Sequence, residues 1–171
     1  MPAKEPRHLK PRPPQDWLDE VRRRYPGTEP AAAVPVLRLL NVARAINDAL
    51  AIEFQRIGLT EARFSLVMII NRLEWEAGTA SPSQLAEQAG IGRAAITQML
   101  DALESTGWIK RSPSKQDRRK LSVKLTPKAK RTLDRFLPAH YERVSKVLEE
   151  LSPADKREIT RLLAAIESGL G

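Results

Sequence analysis

The chain has no cysteine, only two histidines, and few aromatic residues, 5% of the total. Without cysteine there can be no disulfide, thiolate nucleophile, thiolate zinc site or thiol redox sensor, a composition that fits a reducing compartment. With only His8 and His140, and no paired carboxylates, phosphate-binding glycine loop or metal-ligand spacing, the sequence lacks the convergent groups of an active site. No enzyme is expected, and no metal or cofactor is implied. Long apolar runs are missing as well. A run such as Leu66 to Ile70 is five residues long, against the roughly 20 needed to cross a bilayer, and no apolar segment follows the basic N-terminus. The expectation is a soluble protein of the cytoplasm that makes no membrane contact.

At 171 residues, 42% of them apolar, the chain can bury a substantial core, as one domain or as a small module joined to further helices. Its charge is uneven. The net value is +8, but the 24 residues from Trp108 to Arg131 hold ten Lys and Arg against the single acid Asp117. The remaining 147 residues therefore sum to about −1. One concentrated cationic element on a nearly neutral body is the layout of a surface that meets a polyanion, nucleic acid or anionic lipid before any acidic small substrate.

Punctuation along the chain predicts mostly helix. Residues 1–33 read as an extension: Met1 to Pro14 is Pro-rich and basic and favours an extended chain, a short helix follows at 16–24 with Asp16 as its cap and Trp17, Leu18 and Val21 on one face, and Pro30 to Pro35 is a linker. Helical spacing then runs from Val34 to about Ile57 (Leu37, Leu40, Ala43, Ile46, Leu50, Phe54), closed by Gly58. Thr60 caps a helix to about Glu76 with Phe64, Val67, Met68 and Leu73 inward, and Gly78 breaks it. Ser81-Pro82-Ser83-Gln84 combines an N-cap, a proline at the first helical position and a capping-box Gln. Thr126-Pro127 opens a helix to about Glu150, and Ser152-Pro153 opens a last one carrying Ile159, Leu162, Leu163 and Ile166.

Two segments between these helices carry the function. Over Pro82 to Glu104, Leu85, Ala86 and Ala89 face inward, Gly90 permits a sharp turn, and Ile91, Ile96, Leu100 and Leu103 bury a second helix, a helix-turn-helix pattern. The outward residues near the start of that second helix, Gly92, Arg93, Ala94, Thr97, Gln98 and Asp101, are short or polar and suit a major groove about 12 Å wide. Ser83 opens the helix before it. Trp108 to Ser112 and Lys120 to Leu125 then read as a β-hairpin, because Leu121, Val123 and Leu125 alternate with Lys120, Ser122 and Lys124. Its charged tip, Pro113 to Arg119, offers an arginine of the kind that a narrow minor groove attracts, while the remaining Lys and Arg, Lys115 and Arg118 among them, suit phosphates.

Gly107-Trp108-Ile109-Lys110-Arg111, Asp117-Arg118-Arg119 and Val123-Lys124-Leu125-Thr126 together resemble the wing signature of the MarR (multiple antibiotic resistance regulator) family of winged helix-turn-helix regulators. The likeness extends from Val34 to Ser168. It implies a mainly α fold with a small β-hairpin wing: a winged helix-turn-helix domain at 60–126 and a helical dimerisation region at 34–58 and 127–171. By position it implies that Arg119 reaches the minor groove, that Asp117 orients the wing, and that the helix from Gly92 or Arg93 reads the major groove; Lys120, where the family usually has a small residue, adds a phosphate contact. It further implies a homodimeric repressor on a pseudo-palindromic operator, released by a small anionic aromatic or phenolic effector. Arg38, Arg44, Arg63, Phe64, Met68, His140 and Tyr141 are the candidate effector residues. The extension and the Leu137-Pro138-Ala139-His140 segment resemble a sub-branch that includes urate-responsive members, but Phe64-Ser65 stands where that sub-branch has Trp-Asp, so a different planar acid is expected. The competing reading is a nonspecific architectural nucleic-acid binder, which would coat DNA and not protect one site.

Overall fold

A computed structural model describes residues 13–113 and 121–170. The chain divides between Glu53 and Phe54 into two compact units. In the first, α1 (Gln15–Arg24) is followed by a 3-10 turn over Pro30–Ala32, and α2 (Ala33–Arg56) starts there and ends in the second unit. Three expectations are corrected. Asp16 lies inside the first turn of α1 and does not cap it; Pro14 holds the cap position with no side-chain bond. Trp17 is 55% exposed while Leu18 is buried, since neighbours 100° apart on a helix cannot both centre one face. The Pro30 to Pro35 linker is a helix start, with Pro35 in the first turn of α2, where a missing N–H leaves no bond unmade.

The second unit follows the capping signals closely. Thr60 Oγ1 accepts the Arg63 N–H at 3.3 Å and starts α3 (Glu61–Ala77), which Gly78 ends at φ 73°. A complete capping box between Ser81 and Gln84 starts α4 (Pro82–Ala89), Gly90 turns the chain at φ 64°, and α5 (Arg93–Ser105) follows. Strands β1 (Ile109–Pro113) and β2 (Leu121–Leu125) pair antiparallel in the register Ile109↔Leu125 to Pro113↔Leu121. Thr126 caps α6 (Pro127–Val147) and a Ser152–Asp155 capping box starts α7 (Pro153–Ser168). Helix α6 stops three residues short of the expected Glu150, in a hydrogen-bonded turn ahead of the Ser152 cap.

The core gathers Leu66, Val67 and Ile70 of α3, Leu85 of α4, Ile96, Leu100 and Leu103 of α5, Ile109, Val123 and Leu125 of the hairpin, and Leu133 of α6. Each such side chain contributes about 1.5–3 kcal/mol on leaving water. Met68, expected inward, is only half-buried, because Leu66 and Ile70 occupy the centre of the α3 face. Ile91 sits in the turn and stays 38% exposed, so the buried stripe of α5 begins at Ile96. In β2 the alternation breaks: Leu121 is exposed and Ser122 buried. The cause is a third segment, Ala80, which bridges Val123 with N–H···O bonds of 3.1 and 2.8 Å in both directions, while the Thr79 and Ser122 hydroxyls bond each other.

The outer helices behave differently. No residue of α7 is buried, and Ile159, Leu162, Leu163 and Ile166 are each more than a third exposed, as are Tyr141, Val144 and Val147 of α6. In the first unit, Val36, Leu39, Leu40 and Val42 of α2 are exposed too. Among the described residues no helix is long and apolar enough to cross a membrane.

Candidate nucleic-acid interface

Helix α5 is held from beneath by Ile96, Leu100 and Leu103 and presents Arg93, Ala94, Thr97 and Gln98 to solvent, all exposed. Residues 93, 97 and 101 follow at four-residue steps, so Arg93, Thr97 and Asp101 form one line along the outer face. Thr97 Oγ1 donates to the Arg93 carbonyl at 2.9 Å, which fixes the hydroxyl's rotamer. Ser83, also exposed, lies in the first turn of α4, its hydroxyl 3.2 Å from that of Ser81. The N-cap of α5 is Gly92, which bonds through no side chain. The first N–H groups of a helix so capped are left to water or to a ligand with acceptor oxygens.

The hairpin root is bound to three neighbours. The Trp108 N–H donates to the Leu103 carbonyl at 2.8 Å, the Thr126 N–H to the Trp108 carbonyl at 3.0 Å, and Thr126 Oγ1 to the Gly107 carbonyl at 2.7 Å. Glu74 of α3 accepts the Leu125 N–H at 2.9 Å and the Lys130 ammonium at 3.3 Å, tying β2 and α6 to α3. Arg72 of α3 forms an ion pair with Glu76 and donates to Gln88 of α4 at 2.7 Å. Sequence reasoning missed Glu74 and Arg72, whose partners lie 51 and 16 residues away.

Lys110 and Lys124 stand directly opposite each other across the two strands, both exposed. Like charges in that position repel, so the pair costs stability unless an anion covers it. Arg111 differs: it is engaged by Glu104 and Asp101 of α5 and is not free to meet an outside anion. Its guanidinium holds the Glu104 carboxyl below the usual carboxylate range, and Glu104 and Asp101 in turn raise the Arg111 pKa. The expected tip residues Lys115, Asp117, Arg118, Arg119 and Lys120 lie outside the described residues.

The candidate effector residues separate. Arg38 and Arg44 are exposed on α2 in the first unit. In the second, Phe64 and His140 are buried in an aromatic cluster with Phe54 and Phe136: Phe54 stacks on Phe64 with centroids 4.4 Å apart, and Phe136 on His140 at 5.3 Å. Arg63 is half-buried at the start of α3. Met68 and Tyr141 do come together, lining an open cavity of about 540 Å³ with Ile69, Asn71, Arg72 and Trp75. Trp75, 87% exposed, is the feature that sequence reading passed over; a tryptophan outside the inward positions of α3 was the available signal.

Residues 59–121 match the model of the MarR family. The HTH-type transcriptional repressor YetL of Bacillus subtilis (strain 168) is 28% identical over 155 residues, 91% of this chain and 92% of its own length. An uncharacterized HTH-type transcriptional regulator of the same organism, YfiV, is 30% identical over 118 residues, 69% of this chain and 71% of its own. A crystal structure of a MarR mutant from E. coli complexed with operator DNA superposes with a TM-score of 0.68 at 23% identity, covering 79% of this chain and 95% of that one.

Proposed function

We propose, from the premise that this chain belongs to the MarR family of DNA-binding transcriptional regulators and is no enzyme, that it is a repressor in the cytoplasm that binds a pseudo-palindromic operator as a homodimer. The observation that carries this reading is the pairing of a polar outer face on α5 with an adjoining hairpin whose exposed lysines 110 and 124 oppose each other. Helix α5 enters the major groove with Arg93, Ala94, Thr97 and Gln98, Ser83 contacts a phosphate, and the tip reaches the flanking minor groove through Arg119, with Lys115, Arg118 and Lys120 on phosphates and Asp117 orienting the loop. Residues 60–126 form the DNA-binding domain, and 34–58 with 127–171 form the dimerisation region. Support for the dimer comes from α7, whose four branched apolar residues are each more than a third exposed. Such a stripe is the usual mark of an interface.

A planar aromatic acid releases the DNA. The cavity that brings Met68 and Tyr141 together supports this, because exposed Trp75 lines it with an aromatic ring. Footprinting on the chain's own upstream region at about 150 mM salt tests the regulator against the architectural alternative: one protected palindrome supports it, and uniform coating that vanishes steeply with salt refutes it. Calorimetric titration with hydroxybenzoates and pyridine carboxylates tests the effector, and absence of heat from every member removes it.

A further inference from the structure

Arg111 stands among the ten cations that make residues 108–131 basic, yet its side chain is the least exposed cation in the described ion pairs, at 24%. Most of the other described pairs join residues three or four apart on one helix; this one joins a strand to a helix. Glu104 Oε2 receives both Nε at 2.7 Å and Nη2 at 2.6 Å, while Oε1 accepts the backbone N–H of Arg111 at 2.9 Å. The same Nη2 lies 2.6 Å from Asp101 Oδ1. A planar fork held at two of its nitrogens by one carboxylate, with the backbone N–H of the same residue bound to that carboxylate's other oxygen, permits little rotation, and a lysine side chain cannot reproduce the two-nitrogen grip.

Two consequences follow from where these groups sit. Glu104 is in the last turn of α5 and Arg111 is the third residue of β1, with Gly107 at φ 75° between them. The brace therefore spans the turn about which the hairpin would otherwise rotate relative to the helix. Each strand residue adds about 3.3 Å, so any rotation at the root displaces a residue further out by more. Asp101 shares the outer line of Arg93 and Thr97, and a bare carboxylate on that line would repel phosphate. The guanidinium of Arg111 pairs with it and lessens that repulsion, although Asp101, Glu104 and Arg111 together still sum to one negative charge.

We infer that Arg111 is a positioning residue that locks the reader helix and the wing at one mutual angle, so that the chain selects DNA whose A·T-rich flank lies at a fixed distance from the core half-site. This rests on the proposal that α5 and the wing read two different grooves. Removing the brace leaves α5 able to read its groove but lets the wing swing, so that the flank contact is made less often and at no fixed distance.

The test uses the full chain and the duplex it selects from a randomised pool. Three derived duplexes are compared: one with a core base changed, one with the flanks changed from A·T to G·C, and one with the flanks moved outward by two base pairs. The wild type loses about tenfold in affinity for each change, the usual worth of a good groove contact. In Glu104→Gln and in Arg111→Lys the core penalty stays within about twofold of wild type, while the flank and spacing penalties shrink to about twofold or less. Thermal melting of both variants shows that they are folded. Undiminished flank and spacing penalties in both variants overturn the inference, and so does an equal fall of core and flank penalties, which would mean general loosening. Arg119→Ala separates the two levels. If it leaves the flank preference intact, the wing reading itself fails and the brace with it; if it abolishes the preference and the brace variants do not, only the brace is wrong.

Discussion

Helices α5 and α7 carry the same kind of apolar stripe at helical spacing, but α5 buries Ile96, Leu100 and Leu103 almost completely while α7 leaves Ile159, Leu162, Leu163 and Ile166 each more than a third exposed. The first stripe is satisfied inside the chain, where α5 packs on α4 and β1; the second is only partly covered among the described residues. Periodicity therefore states which face seeks cover and is silent about what covers it. The polar faces differ as well: that of α5 exposes Ala94, Thr97 and Gln98, and that of α7 holds an exposed local ion pair, Glu158–Arg161, of the kind that contributes little.

The comparison can be broken at either stripe. Leu100→Ala creates a cavity in a fully packed site and should cost about 2–5 kcal/mol in denaturant unfolding at fixed protein concentration. A loss below about 1 kcal/mol would contradict the burial. In the other stripe, Leu162→Asp combined with Ile166→Asp should give a folded monomer in sedimentation that protects at most a half-site, since charge on an exposed face harms only the interface. Unchanged dimer mass would show that α7 faces solvent. Arg119→Ala should weaken operator binding by about 1–3 kcal/mol in gel shifts, whereas changing Thr97 or Gln98 should alter which operator is preferred.

The smallest effect concerns pH. The Glu104 carboxyl is held below its usual range chiefly by its hydrogen bonds to the Arg111 side chain and backbone N–H. A depressed acid contributes stability that is fully present above its unfolded pKa and is lost as pH falls through its folded value. Glu104→Gln should therefore flatten the acid limb of the stability curve slightly, because the pair is partly exposed and screened by solvent. A limb as steep as wild type would assign the acid sensitivity to other carboxylates.

Much of this was legible in the sequence where the signal is local. Thr60, Ser81, Thr126 and Ser152 each begin a helix because a side-chain oxygen accepts an N–H three residues on, which is a rule about neighbours. The polar face of α5 was legible for the same reason. The alternation holds for Val123 and Leu125 but fails at Leu121 and Ser122, because the segment of Thr79 and Ala80, some 40 residues earlier, pairs with β2 there and covers Ser122. The pairing of Arg111 with Glu104 is not legible in the count of cations, because the two meet only after the chain has turned back at Gly107. The rings around Phe64 and His140, Phe54 and Phe136, come from α2 and α6, a contact set that no single sequence window contains.

Hydroxyl-radical footprinting of the full chain on the DNA upstream of its own coding region tests the central claim most directly. The account predicts two protected core tracts about 10 base pairs apart, each flanked by minor-groove protection that Arg119→Ala removes. A single tract, or continuous protection indifferent to sequence, would contradict it.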